Sequence, residues 1–283
     1  MKKICIATIV LSMVFIASCG NANKESKTEE ATVETTDSIV EEPAEILFFP
    51  TKIDTYIADN VQTDAFSLKY DDQNRLVELL EGKDWKASIT YGDNEITQIE
   101  NDVPYIYKYT DGKLSECRIS QGEGEVIITY VFDGNNIKED SRTSCNTKSV
   151  CKTKYKWDNN CIAEKMQINS YDGKEVSSVQ TNYVNSDIRN TFAIDVISII
   201  SCWLDAASLC KGFSSEFLPS EETTTSIAYS DDSRKEVHKG YEYTLDDQGR
   251  IAEIKITETT KYSKPTDTET TEYEEKRTVK LFY

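Results

Sequence analysis

The chain has 283 residues, 50 of them acidic against 32 basic, for a formal net charge of −18. That balance argues against nucleic acid or an anionic membrane surface as a partner, because both would repel it. Eight cysteines with no Cys-x-x-Cys spacing and one histidine, His238, predict no cofactor and no metal site.

Met1 to Ser18 reads as an export signal. Lys2-Lys3 is a charged start, and Ile4 to Ile16 is an apolar stretch too short to span a bilayer. Ile16-Ala17-Ser18-Cys19-Gly20 follows and resembles the lipobox of bacterial lipoproteins. In that family the cysteine is acylated and becomes the first mature residue, so the resemblance makes Cys19 the expected lipid attachment point. Each buried CH₂ contributes ~0.8 kcal/mol, so several acyl chains anchor firmly. Gly20 stands where an aspartate would resemble a signal for retention at the inner membrane. The expected address is therefore the outer membrane, with the periplasmic and surface sides both open.

Losing Lys2 and Lys3 with the signal takes the formal charge from −18 to −20. Residues 19–45 are the expected lipidated cysteine and a disordered acidic tether. Its many glutamates face only Lys24 and Lys27, and it has too little apolar surface to offset its conformational entropy. A single barrel-like domain is expected over 46–283.

Within that domain one phrase recurs: alternating residues ending in tyrosine, a polar turn, then an apolar restart. Phe66 to Tyr70 runs into Asp71-Asp72-Gln73-Asn74-Arg75 and Leu76. Ile89-Thr90-Tyr91 meets Gly92 to Glu95, Tyr107-Lys108-Tyr109 meets Asp111-Gly112, and Ile128-Thr129-Tyr130 meets Asp133-Gly134. Lys154-Tyr155 meets Asp158-Asn159-Asn160, and Tyr241-Glu242-Tyr243 meets Asp246-Asp247-Gln248-Gly249-Arg250 and Ile251. Period-two alternation followed by Asp, Asn and Gly, which tolerate positive φ, spells β-hairpins. Tyr70, Tyr91, Tyr109 and Tyr130 are spaced 21, 18 and 21 apart, room for two strands and two turns each. Val126 to Phe132, apolar at nearly every position, predicts a strand covered on both sides.

The pattern then breaks. Asn185-Ser186-Asp187 reads as a helix cap, Phe192 to Cys210 is almost wholly apolar, and Lys211-Gly212 reads as a stop. The expectation is one inserted, mostly buried helix over about 187–211, with a buried strand in its first half as the alternative. Strands resume near Thr224–Tyr229, Tyr241–Leu245 and Ile251–Tyr262, and a last one ends at Tyr283. Between them, His238 reads as an exposed loop residue.

The order of these features is similar to a family of uncharacterised Bacteroidota lipoproteins described as having a porin-like fold. The features are a lipobox, an acidic tether, Tyr-Asp hairpins, an Ile194-Asp195 apolar segment and Gly212-Phe213-Ser214-Ser215-Glu216-Phe217-Leu218-Pro219. The resemblance covers about Thr63 to Tyr283. It implies an antiparallel barrel with a helical insertion and implies no activity.

The fold class expected is therefore all-β: an antiparallel meander of repeated hairpins, about a dozen strands, closing into a barrel-like structure. A membrane-spanning barrel is not expected. Around Ile251, Glu253, Lys255, Thr257 and Thr259 share one face and Ile254, Ile256, Glu258 and Thr260 the other, so neither face is apolar throughout. The mature cysteines Cys117, Cys145, Cys151, Cys161, Cys202 and Cys210 allow fifteen pairings. Of these, Cys145 and Cys151 could face each other across a hairpin. The chain shows no catalytic signature. A monomeric, non-enzymatic binding or accessory module of the envelope, engaging a glycan or a protein partner, ranks first. A glycan hydrolase using a carboxylate pair is the alternative.

Overall fold

A computed structural model describes residues 47–57, 61–83, 85–121, 124–192, 213–265 and 270–283. The expected signal 1–18, Cys19, the tether up to 45 and residues 193–211 of the expected helix lie outside these.

The chain builds β1 (Lys52–Ile57), β2 (Val61–Tyr70), β3 (Leu76–Glu81), β4 (Trp85–Tyr91), β5 (Glu95–Glu100) and β6 (Val103–Thr110). There follow β7 (Lys113–Gln121), β8 (Gly124–Asp133), β9 (Asn136–Ser144), β10 (Ser149–Asp158) and β11 (Cys161–Tyr171). The longest strands come last: β12 (Lys174–Arg189), β13 (Phe217–Ala228), β14 (Ser233–Leu245), β15 (Ile251–Ser263) and β16 (Thr271–Phe282). Each pairs antiparallel with its neighbours in sequence, and β1 pairs with β16 from Lys52↔Phe282 to Ile57↔Arg277. The sheet is a closed barrel of sixteen strands, more than the dozen expected because β12, β13 and β16 are rich in threonine, serine and charge and carry little apolar signal. Closure removes the two edges an open meander would expose to another chain. Consecutive positive-φ residues, such as Asp111-Gly112 and Asp172-Gly173, make the tightest of these turns.

The inserted helix over about 187–211 is a correction. Among the described residues there is no helix, and Asn185 to Arg189 belong to β12, where Arg189 pairs with Phe217. The apparent cap serves a strand irregularity instead. The Ile188 N–H donates to Ser186 Oγ at 3.1 Å, while Ser186 Oγ–H donates to the Leu218 carbonyl at 2.8 Å, and the register shifts on either side of Asn185. A serine reaching the backbone two residues on is as useful to a bulge as to a helix start. Phe192 and Phe213, on either side of 193–212, are both buried in the core.

Alternation divides every strand between two walls. On the inner one, Ile53, Phe66, Leu79, Ile254 and Val279 are almost wholly buried. Lys69, Lys86, Lys108, Lys255 and Lys276 face out. Val126–Phe132 is covered on one side only. Val126, Ile128 and Tyr130 are buried, whereas Val131 on the outer wall is half exposed.

Even-numbered strands end at one rim, and this rim carries the repeated phrase. Five of its hairpins contain a register shift, at Lys69/Tyr70, Lys108/Tyr109, Val131/Phe132, Lys156/Trp157 and Thr244/Leu245. In three of them the carbonyl just before the extra residue accepts a bond from the aromatic ending the next strand. Tyr91 Oη donates to Leu76 O at 2.9 Å, Trp157 Nε1 to Ile137 O at 2.7 Å and Tyr283 Oη to Ile251 O at 3.0 Å. Two turns are near copies. Asp71 Oδ1 accepts the Gln73 and Arg75 N–H groups, and Oδ2 accepts Arg75 Nε. Asp246 does the same with Gln248 and Arg250. Each arginine then lies over the next tyrosine, Arg75 4.4 Å from the Tyr91 ring and Arg250 4.5 Å from the Tyr283 ring.

Removing one such hydroxyl leaves a carbonyl unpaired at a partly buried bulge. Tyr91→Phe is expected to lower the unfolding free energy by ~1 kcal/mol, read by urea denaturation, without changing the barrel's circular dichroism. An unchanged midpoint would mean the Leu76 carbonyl is served by something else.

Candidate functional site

The inner wall has two sectors. From β1 to β9 it is mainly apolar. From β11 to β16 it also carries charged and hydroxyl side chains beside apolar ones such as Ile254 and Val279, and cross-strand pairing sets them in rows. Tyr183, Glu222, Lys239, Glu258 and Glu275 are successive partners across β12 to β16. Thr181, Thr224, Val237, Thr260 and Tyr273 form the next row.

Glu222 is the hub. Its carboxylate accepts from Lys239 Nζ at 3.3 Å, Tyr241 Oη at 3.1 Å and Thr224 Oγ1 at 3.3 Å. Burial first, then the Glu222 charge, pushes the Tyr241 phenol far above its ordinary pKa, so it stays a donor. Tyr243 lies nearly parallel to Tyr241, ring centres 6.4 Å apart. Arg277 ties Glu258 at 2.9 Å and Glu275 at 3.3 Å. Lys165 reaches the rings of Tyr155 and Tyr183 at 5.8 and 5.4 Å. Each of the carboxylates Glu222, Glu258 and Glu275 thus has a cation against it.

The mouth at the opposite rim, where odd-numbered strands end, carries half-exposed tyrosines. Tyr262 and Tyr273 have ring centres 6.2 Å apart and planes 27° from parallel, and Lys235 Nζ lies 5.4 Å from the Tyr262 ring.

One polar pair interrupts the apolar sector. Ile96, Gln98 and Glu100 alternate along the inner face of β5, and Gln98 and Glu100 are fully buried. Gln98 Nε2 donates to Glu100 Oε1 at 2.9 Å. Desolvation pushes the Glu100 carboxyl up to about 8, against bonds from Tyr105 and Gln98 that pull it down. Gln98 Oε1 and Glu100 Oε2 are buried acceptors without a partner among the described residues. A proton on Glu100 gives that side chain a donor, which is what an amide carbonyl beside it needs.

The residues singled out from the sequence fall elsewhere. Cys19 lies outside the described residues, as do Cys202 and Cys210. Cys117, Cys145, Cys151 and Cys161 form no disulfide among the described residues. Cys145 sits in the β9–β10 turn and the residue facing Cys151 is Arg142, so these two do not face each other. His238 is in β14 rather than a loop. It is exposed on the outer wall with Thr223 Oγ1 3.1 Å from Nδ1, because the strands on both sides are longer than their apolar residues suggest. Sequence reasoning passed over Gln98-Glu100 and Tyr262–Tyr273. The signal for the first was their shared face with Ile96. For the second it was their position on either side of the Pro265 turn.

A solved structure described as a porin-like protein from Bacteroides uniformis shares this architecture. The match has a TM-score of 0.54, covers 82% of this chain and 96% of that one, and runs at 12% sequence identity. At that identity it speaks for the fold alone. No family model and no curated protein matches the chain.

Because the Glu100 carboxyl is raised in the folded state, its contribution to stability is complete below its ordinary value of 4.5 and is lost as pH climbs through about 8. The difference in unfolding free energy between wild type and Glu100→Gln should therefore shift toward the variant between pH 5 and pH 8.5. The expected shift is on the order of 3 kcal/mol. Parallel pH profiles for the two proteins would rule out a protonated Glu100.

Proposed function

We propose that the chain is a lipid-anchored protein of the cell envelope, tethered at the outer membrane through an acylated Cys19. Its barrel stands in water and acts as a monomeric, non-enzymatic binding module for a glycan or a protein partner. The observation carrying this is the distribution of charge between the two walls. A barrel embedded in a bilayer presents an apolar outer band about 25 Å tall. This outer wall instead carries Lys69 and Lys86 clasping Glu78, Arg118 bonded to Glu116, and Lys276 beside Glu274. Each charge facing lipid near the midplane would cost ~2–4 kcal/mol for Arg or Lys. The apolar surface lies on the inside instead.

A barrel kept out of the bilayer needs some other hold on the envelope, and the lipobox-like Ile16-Ala17-Ser18-Cys19-Gly20 supplies one. Binding is favoured over hydrolysis by the inner carboxylates Glu222 and Glu258, each held by a cation. The polar sector offers hydroxyls, charges and tyrosines to a hydrated ligand. The porin-like likeness fits an envelope protein of this kind.

Metabolic labelling with a fatty-acid probe tests the anchor. Wild type is expected to take up label and fractionate with membranes. Cys19→Ser should take up none and yield a barrel that stays soluble without detergent. Unlabelled wild type, or a Cys19→Ser protein that aggregates unless detergent is present, would overturn the reading.

A further inference from the structure

We propose that Tyr262, Tyr273 and Lys235 form a saccharide-binding platform at the mouth of the barrel, made for a neutral polysaccharide. This rests on the glycan-binding reading above and names its site and ligand class.

The three residues are brought together by register. Lys235 of β14 faces Tyr262 of β15 directly, while Tyr273 of β16 faces Thr260, two residues before Tyr262 on the same wall. Thr260 is fully buried, whereas Tyr262 and Tyr273 are 41% and 47% exposed. The wall thus runs from core to water within one step along the strand. Single exposed aromatics are ordinary. Two half-exposed rings stacked on each other, with a lysine over one of them, are a cluster rather than an accident of one residue. Bonds from Tyr273 and then Lys235 draw the Tyr262 phenol below its ordinary pKa, so the polar heads of all three are gathered together.

That combination matches one ligand chemistry. A pyranose ring offers an apolar face of C–H groups to stack on tyrosine and a rim of hydroxyls that both donate and accept. Lys235 supplies a donor, and the phenols supply both donors and acceptors. A purely apolar ligand would desolvate the Lys235 ammonium with no hydroxyl to bond it in return. An acidic polymer would meet Glu258, Glu272, Glu274 and Glu275 on the adjoining strands and a chain of net charge −18.

Affinity gel electrophoresis of the full chain tests this, with dextran, pullulan, laminarin and galactomannan as neutral probes and polygalacturonate as the acidic one. At least one neutral probe should retard wild type. Tyr262→Ala/Tyr273→Ala should weaken that retardation tenfold or more, and Lys235→Ala severalfold. Tyr262→Trp/Tyr273→Trp should keep it, since the platform survives. If the double alanine variant shifts in circular dichroism, the wild type decides alone. A retarding probe must then protect Tyr262 and Tyr273 from nitration by tetranitromethane.

No retardation by any neutral probe, retardation by polygalacturonate only, equal retardation of the double alanine variant, or unprotected tyrosines would each overturn the platform. Run in detergent on purified chain, the assay is indifferent to lipidation. A failed fatty-acid label would sink the anchor and leave this result standing.

Discussion

At the rim where even strands end, five hairpins take in an extra residue. At three of them a carbonyl just before that residue turns to the following hairpin for a partner, and the partner is the Tyr91 or Tyr283 hydroxyl or the Trp157 indole N–H. A buried carbonyl without a bond costs ~1–3 kcal/mol, so each hairpin is completed only when the next is in place. The bond runs sideways around the barrel, in the direction the sheet must close. Asp71–Arg75 and Asp246–Arg250 fix the turn and lay the arginine over the same tyrosine, so turn, bulge and aromatic act as one unit. The phrase that recurs in the sequence is this unit.

Closure sorts the side chains. With no edges left, each strand has one face outward and one toward the interior, and most of the lysines are on the outer face. The inner face is not uniform. The first nine strands fill it with apolar residues, and the later, longer strands line it with Glu222, Lys239, Glu258 and Arg277, satisfied among themselves. The barrel thus has one inner sector that is mainly apolar and one that also carries charged side chains and hydroxyls, with Tyr262 and Tyr273 at the rim of the second.

Much of this was legible beforehand. The hairpins, their turn residues and the antiparallel meander follow from alternation and from Asp, Asn and Gly at positive φ. The count of sixteen was not legible, since β12 to β16 alternate threonine, serine and charge on both faces and carry little apolar signal of their own. Asn185-Ser186-Asp187 misled for a physical reason: the side-chain bond from Ser186 to the Ile188 N–H is common to helix caps and bulges. The polar pair at Gln98 and Glu100 was written in the alternation after Ile96, yet reading it needed the knowledge that this face turns inward. The tyrosine platform needed register, which a sequence without a regular apolar stripe leaves open.

The central claim is that the outer wall of this barrel faces water while the chain sits at a membrane. Lysine acylation of intact membranes bearing the full chain, mapped by mass spectrometry, tests it directly. Lys69, Lys86, Lys152, Lys255 and Lys276, spread around the barrel, should react as readily as in the detergent-free Cys19→Ser protein. A belt of these lysines protected in the membrane and released by detergent would show that lipid covers the wall, and would contradict the account.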